Sequence, residues 1–420
     1  MTMSANPDRV IVVGAGHIGI ACAHYLRQDG YDVTVIDQGD IGGACSYANC
    51  GFLVPSHVLP LTSPESLLNG FKSLVQPRAA FRVKLQLRPA LYRWMLEFGR
   101  RCSRRQMIAA GKVLHTILDM SIAEYRHLLS RPEMECEWQD NGLLFVFRSA
   151  AALQKFAATD AFLAEEFDVA ASLIPGSDLQ DLDPAFREGL AGAYRYEDDG
   201  YVRPDKLNTS WVKWLSAQDV TFIDHCRLKT VQKKNGTISS LLTSQGQMTA
   251  DRYVFATGAW SSRLAADLDC DIPVEPGKGY SVTMSKPAVM PRYPMLFPEA
   301  HIGVTPFEDS YRIASMMEFA GFDETIPSFR IKQLQDSARP YLKNPTGPAI
   351  EDTWYGWRPM TWDSLPIIGR VPRLSNALLA TGHNMLGLTL APVTGKAIAD
   401  LVAERPADIP LDALSPARFS

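Results

Sequence analysis

Apolar residues fall into distinct spacings along the chain, and each spacing predicts an element. Short unbroken runs predict buried strands at Val10–Val13, Val33–Ile36, Val220–Ile223, Tyr253–Ala256 and Leu378–Thr381. Longer β-type stretches cover Gly142–Phe147, Pro273–Met284 and Met295–Met317. Ser239–Thr249 turns at Gln245-Gly246, and Ala193–Arg203 predicts a hairpin around Asp199-Gly200. Helical spacing marks Ile20–Gln28, residues 62–130 with Pro64, Pro77 and Pro89 as punctuation, Ala150–Phe167, Pro204–Ala217, a helix starting near Ser261, Ile326–Leu342 and a helix from about Leu390 to Glu404. Trp354–Val371 is dense in Gly, Pro and aromatics and predicts irregular backbone. The strand–helix alternation breaks off and later resumes, as if one domain were inserted into another.

The most informative stretch is RVIVVGAGHIGIACAHYLRQDGYDVTVID, Arg9–Asp37. Gly14, Gly16 and Gly19 stand in G-x-G-x-x-G spacing between a strand and a helix, and an acid, Asp37, follows eighteen residues beyond Gly19. That context makes a dinucleotide fingerprint. Gly14 permits the tight turn, Gly16 lets a pyrophosphate reach the backbone, and Gly19 packs helix on strand. The helix N-terminus then faces the phosphates, and Asp37 a ribose. The following loop, GDIGGACSYANCGFLVPS (39–56), is glycine-rich and short on charge, which suits close approach to a bulky planar ligand. A second glycine turn, Gly382-His383-Asn384-Met385-Leu386-Gly387, also opens onto a helix.

Composition narrows the class. A chain of 420 residues has room for two domains, and 46% hydrophobic content with a net charge of −4 fits a soluble globular enzyme, with nothing that suggests nucleic acid. The local exception is Lys72–Lys112, where eleven Lys and Arg face one acid, Glu97, with aromatics such as Phe81, Trp94 and Phe98 among them. Such a segment either docks on an anionic membrane or forms a solvated face whose arginines pair with acids elsewhere. The seven cysteines show no metal or C-x-x-C spacing and predict reduced thiols in a cytoplasmic protein; no metal site is expected. The apolar run at Val10 is too short for a signal peptide, and no run of eighteen apolar residues offers a spanning helix.

In order along the chain, GAGHIG, SYANCG (46–51), FATGAWS (255–261), PGKGYS (276–281), WRPMTWDSLPIIG (357–369) and GHNMLGLTLAPVTGKAIADL (382–401) resemble the FAD-dependent D-amino-acid oxidase and glycine oxidase superfamily. Within it, the likeness is greatest to the FAD-bearing subunit of bacterial D-amino-acid dehydrogenases. The resemblance implies an α/β fold: a glutathione-reductase-like parallel sheet for FAD, interleaved with a substrate domain on a mixed sheet. The expected FAD-binding domain comprises 1–62, 150–190, 204–272 and 350–420; the substrate domain comprises 63–149, 191–203 and 273–349.

By the same likeness, FAD is held by Gly14, Gly16, His17, Ile18, Gly19, Asp37 and Gln38, then by Ser46, Asn49, Cys50 and Gly51 of the loop. Thr257, Gly258 and Trp260 follow, and Gly382, His383, Asn384, Leu386, Gly387, Leu388 and Thr389 lie along the flavin. Arg358 falls where these enzymes clasp the substrate carboxylate, a role its bidentate guanidinium suits; the alternative is a structural salt bridge. His383 reads as a flavin or loop hydrogen-bonder rather than a base. Tyr280 and Lys278 either reach the substrate or are structural, and His301, Tyr311 and Arg312 complete the pool of substrate-site candidates. Some relatives tether FAD through a cysteine near the segment matching W-R-P-M-T, but no cysteine follows Cys270 here and no histidine lies between His24 and His57, so non-covalent FAD is expected.

Ser/His/Asp and Cys/His arrangements are absent at any one motif, and hydride transfer to a flavin requires none. The expected reaction is oxidation of an amino acid, D-amino acids favoured, by hydride transfer from Cα, giving an imino acid and then a 2-oxo acid and ammonia. The alternatives are an oxidase, a dehydrogenase of secondary or cyclic amines such as D-proline, or an FAD-carrying relay subunit. The expected location is cytoplasmic, with peripheral contact to the inner membrane and a membrane quinone as a candidate electron acceptor.

Overall fold

The structure is a computed structural model that describes residues 8–64, 79–84 and 87–419. Its first layer is a six-stranded sheet in the order Ile367–Arg370, Ala377–Thr381, Arg252–Phe255, Arg9–Val13, Asp32–Ile36, Thr221–Ile223. All neighbours are parallel except the first pair. Parallel strands covered on both faces need continuous apolar runs rather than alternation. Val10, Val12, Val33, Val35 and Val254 accordingly face one core, while Ile11, Val13, Ile36, Tyr253 and Phe255 face another.

On the first face lie the helices His17–Gln28 and Ala391–Val402, backed by Arg104–Leu129 and Pro204–Ser216. A small antiparallel sheet, Leu228–Lys234, Thr237–Thr243 and Gly246–Met248, covers the second through Val231, Ile238 and Leu241. Each fully buried aliphatic side chain contributes about 1.5–3 kcal/mol, so the sandwich is anchored by its central strands.

The second layer is a nine-stranded mixed sheet. Ile350–Thr361 forms its edge, followed by Val274–Ser285, Ser310–Phe319, Ile302–Pro306, Met295–Phe297, Leu143–Phe147, Gly192–Tyr196 and Ser172–Pro175, with Phe81–Val83 paired beside Ser310–Phe319. The helix Ser328–Ala338 packs its Ile331 and Leu334 into this sheet's core, where Phe297 and Tyr341 stack at 4.1 Å.

Three expectations change. Trp354–Val371 is not irregular: its first part belongs to the strand Ile350–Thr361, paired with Val274–Ser285 from Val274↔Thr361 to Met284↔Ile350. Its last part, Ile367–Arg370, lies in the other sheet. Edge position explains the tolerance of proline, because Pro359 faces Pro276 where no outer ladder needs the missing N–H. Ala193–Arg203 is not a hairpin; Gly192–Tyr196 pairs with Leu143–Phe147 and Ser172–Pro175, whereas Gly200–Tyr201 pairs with Phe52–Leu53. The helix expected near Ser261 is a 3-10 turn, Gly258–Leu264, followed by Ala265–Leu268.

The layers also interleave more finely than the expected boundaries. Residues 350–361 and 172–175 join the mixed sheet, and the helix Arg104–Leu129 packs into the core beside Ala391–Val402. Within 62–130, the helices described are Pro89–Arg101 and Arg104–Leu129; residues 65–78 and 85–86 lie outside the described residues.

Candidate active site

A cavity of about 780 Å³ runs between the two layers. At one end is the first glycine turn. Gly14 has φ +106, and a Cβ there would overlap the Ala256 carbonyl oxygen, so only glycine fits. Gly16 caps the helix His17–Gln28 with no side chain of its own, so the first turn of the helix borders the cavity. Asp37 accepts from the Ala15 N–H at 2.7 Å and the Gly39 N–H at 2.9 Å, which fixes the carboxylate at the turn. Ser46 Oγ accepts from the His17 N–H at 3.0 Å and ties in the small-residue loop.

At the other end, the second glycine turn meets the edge strand of the mixed sheet. Asn384, at φ +52, joins them: its Oδ1 accepts from the Thr361 N–H at 2.9 Å, its Nδ2 donates to the Gly382 carbonyl at 3.0 Å, and its own N–H donates to the Pro359 carbonyl at 3.1 Å. This clasp sets Arg358 in the wall beside the turn. The Arg358 guanidinium lies across Gly279, where a Cβ would collide with it, and Nη1 donates to the Met316 carbonyl at 2.8 Å. No carboxylate pairs with Arg358 among the described residues.

Residues 9–401 match the FAD dependent oxidoreductase family. The D-amino acid dehydrogenase of Vibrio atlanticus (strain LGP32) is 32% identical over 98% of this chain and 99% of its own length. The chain belongs to the FAD-dependent oxidoreductase family. Solved structures share its fold. Glycine oxidase from Geobacillus kaustophilus has a TM-score of 0.79 at 20% identity, covering 98% of this chain and 99% of that one. L-proline dehydrogenase from P. horikoshii has a TM-score of 0.71 at 18% identity, covering 99% and 98%.

The residues present fit FAD. A Cβ on Gly16 would stand 2.8 Å from Ser46 Oγ, so glycine there lets the small-residue loop close against the turn at the cavity wall. The Trp357 Nε1 is buried on the cavity wall with no hydrogen-bond partner among the described residues, and an unsatisfied buried donor of this kind calls for a polar ligand. Burial holds His17 neutral, its pKa lowered to about 4 against a smaller upward pull from Asn208.

Gly14, Gly16, His17, Ile18, Asp37, Gln38, Ser46, Asn49 and Cys50 line the cavity, as do Thr257, Gly258, Trp260, His383, Asn384, Leu386, Gly387 and Leu388. Gly19, Gly51, Gly382 and Thr389 stand behind the wall. Thr389 Oγ1, for example, accepts from the Val54 N–H at 3.2 Å. His383 is buried, its Nε2 is 3.0 Å from Thr394 Oγ1, and burial lowers its pKa to about 3, so it is neutral and committed to the adjoining helix.

Of the substrate candidates, Arg358 and His301 line the cavity, but Tyr280, Lys278, Tyr311 and Arg312 do not. Strand parity is the reason. Gly277 and Gly279 share the face that carries Ser281, whose hydroxyl reaches the Ala48 carbonyl of the small-residue loop at 2.8 Å. Lys278 and Tyr280 therefore point the other way. Tyr280 donates to Glu318 at 2.6 Å, and Lys278 donates to the Thr325 carbonyl beside Asp323. Burial, then Glu318, pushes the Tyr280 phenol up; burial pulls the Lys278 ammonium down. Tyr311 is fully buried on that side. Arg312 instead braces the loop from behind, donating to the Asn49 carbonyl at 3.0 Å and to Thr283 Oγ1 at 2.9 Å.

Sequence reasoning missed Cys45, His57, Trp357, Phe322 and Ser315 on the wall. Trp357 was within reach, since it neighbours Arg358 and packs edge-on to Trp260 at 5.4 Å. His57 sits just past the small-residue loop and carries no motif of its own. Among the described residues, no helix is long and apolar enough to cross a membrane.

Proposed function

We propose that the enzyme oxidises the Cα–N bond of an amino acid whose carboxylate is clasped by Arg358, with D-amino acids favoured and FAD held non-covalently. The observation that carries this reading is a guanidinium in the cavity wall with no acid partner among the described residues, fixed beside the second glycine turn by Asn384. Bound FAD supplies the two-electron acceptor for the Cα hydride. The chain supplies orientation. Arg358 forks onto the carboxylate while its remaining donor stays on the Met316 carbonyl, so the substrate is held at one end against a fixed wall. His383 is neutral and hydrogen-bonded away, which argues against a role as the base. The imino product then hydrolyses in water to a 2-oxo acid and ammonia.

Preference for D-amino acids rests on the likeness to the Vibrio atlanticus dehydrogenase, which runs the length of both chains. A membrane quinone is the proposed acceptor, reached from the exposed side of the helix Pro89–Arg101, where Tyr92 and Leu96 are open to solvent. Anaerobic bleaching of the bound flavin by a panel of D- and L-amino acids tests the reading without assuming an acceptor. Bleaching by D-amino acids is expected. Bleaching by cyclic secondary amines alone would move the substrate class, and no bleaching by any amine would overturn the reading. Acid denaturation should leave all FAD in the supernatant; flavin in the pellet would refute non-covalent binding.

A further inference from the structure

Behind the cavity wall lies a chain of hydrogen-bonding groups that the binding of FAD and carboxylate leaves unused. His57 lines the cavity beside Val54 and Leu296, its ring packed on Phe145 at 5.7 Å. Its Nδ1 is 3.3 Å from Ser56 Oγ. Ser56 Oγ in turn donates to Asp199 Oδ2 at 2.6 Å, and the Ser56 N–H donates to Asp199 Oδ1 at 3.0 Å. Asp199 is fully buried in the segment between Gly192–Tyr196 and Gly200–Tyr201, and no cation pairs with it among the described residues. Because the single Ser56 proton goes to the carboxylate, Ser56 Oγ can only accept from His57. That fixes the proton on Nδ1 and leaves the Nε2 lone pair free as a base.

An amino acid in water is an ammonium, and an ammonium cannot release hydride from Cα; one proton must leave first. We propose that His57, Ser56 and Asp199 form a proton relay that takes this proton from the substrate amine and stores it on Asp199. The inference rests on the amino-acid reading above. One proton moves and no electrons do. The substrate N–H bond breaks as the His57 Nε2–H bond forms, the Nδ1 proton passes to Ser56 Oγ, and the Ser56 hydroxyl proton passes to Asp199 Oδ2. His57 ends as its neutral Nε2–H tautomer, Ser56 ends as it began, and Asp199 ends neutral.

The surroundings suit a proton store. Burial raises the Asp199 pKa to about 7, against which the two Ser56 bonds pull down and Asp198 adds a small upward push. Burial also lowers His57 to about 4, so it passes the proton on rather than keeping it. The titratable groups around Asp199 are few. Asp198 is paired with Arg126 at 3.1 Å, and Tyr196 donates to Asp160 at 3.2 Å. From the Leu143–Phe147 strand the Phe145 ring meets His57.

Ser56→Ala breaks the relay while leaving both ends in place, and Ser56→Thr restores the hydroxyl. The rate of anaerobic flavin reduction by the best amino acid of the panel is measured against pH in holoenzyme. In Ser56→Ala the rate should fall about a hundredfold at neutral pH, the low end of a general base's contribution. It should recover at alkaline pH, where the substrate amine is already free, and Ser56→Thr should stay near the wild type. A second readout needs no turnover: infrared difference spectra on binding 2-methylalanine, which has no Cα hydrogen. A protonated-carboxyl band should appear in the wild type and vanish in Asp199→Asn. A Ser56→Ala profile parallel to wild type at every pH, or no carboxyl band, would overturn the relay. If no amino acid bleaches the flavin at any pH, the amino-acid reading itself has failed; bleaching with an unchanged pH profile removes the relay alone.

Discussion

The two sheets meet the same cavity by different means. The parallel sheet offers its strand ends, so the contacts are backbone: bare glycines, a helix N-terminus opened by Gly16 and an acid pinned by two N–H groups. The mixed sheet offers a face, so its contacts are side chains, and every second residue of a strand is excluded. Arg358 lies on that face, opposite Gly277 and across Gly279, while Lys278 and Tyr280, its near neighbours on the adjacent strand, lie on the other. A site built from backbone demands glycine at fixed spacing and resists any side chain. A site built from side chains changes with each residue, but only on one parity.

The largest effect should follow from breaking the backbone half. In Gly14→Val a side chain would overlap the Ala256 carbonyl oxygen and the residue would have to keep φ +106. Purified Gly14→Val should carry no flavin, read directly from its visible absorbance; a yellow variant with full occupancy would place FAD elsewhere.

Next comes the side-chain half. Arg358→Ala should leave FAD content intact and lower kcat/KM about a hundredfold, since removing one partner of a charge-assisted pair costs about 3 kcal/mol. Undiminished kcat/KM would move the carboxylate clamp to another cation. Gly279→Ala sharpens the comparison, because its methyl group would displace the Arg358 guanidinium without touching the glycine turn. A rise in KM of about tenfold with full flavin occupancy is expected, about 1.4 kcal/mol of lost binding. An unchanged KM would mean that the guanidinium does not need that trough.

Parity predicts the opposite for Tyr280→Phe. Its hydroxyl serves Glu318, which also receives Arg330 at 3.2 Å and Arg82 at 3.3 Å. Loss of a hydrogen bond to a charged group should cost about 1.5–3 kcal/mol of stability. Thermal unfolding should therefore shift downward while kcat/KM stays within about twofold; a kcat/KM loss with no change in Tm would put Tyr280 at the substrate.

This contrast also explains what could be read in the chain itself. The glycine turn, its strand and helix, and Asp37 were legible because their spacing has few other uses. The order of segments carried the fold and the FAD dependence. Parity was not legible in Pro273–Met284, because that strand is buried along both faces and shows no polar–apolar alternation. The edge strand through Arg358 was hidden by its prolines and glycines, which ordinarily mark loops and here are tolerated by edge pairing. His57 and Asp199 are 142 residues apart in sequence, and only folding through Ser56 joins them.

The smallest expected effect concerns the basic segment Lys72–Lys112, part of which lies outside the described residues. Much of its charge is spent internally. Arg88 pairs with Glu275 at 2.7 Å, Arg82 with Glu318 at 3.3 Å and Lys84 with Asp323 at 3.4 Å, and Arg100 and Arg101 both hold Glu97. Arg93, Arg105 and Lys112 are exposed, and none of them meets an acid among the described residues. On the helix Pro89–Arg101, Arg93 stands beside the exposed Tyr92 and Leu96, a small amphipathic patch. Near an anionic surface each such cation is worth about 1 kcal/mol, screened over about 8 Å at physiological salt. One cation and two apolar side chains on one helix support only weak, reversible contact, far short of anchoring. In co-sedimentation, a fraction of the protein should pellet with vesicles containing phosphatidylserine at low salt, and none with neutral vesicles or at high salt. Arg93→Glu should reduce that fraction without changing flavin content or kcat/KM. If nothing pellets at low salt, the patch does not face a membrane, and electrons must leave the flavin for a soluble acceptor or oxygen.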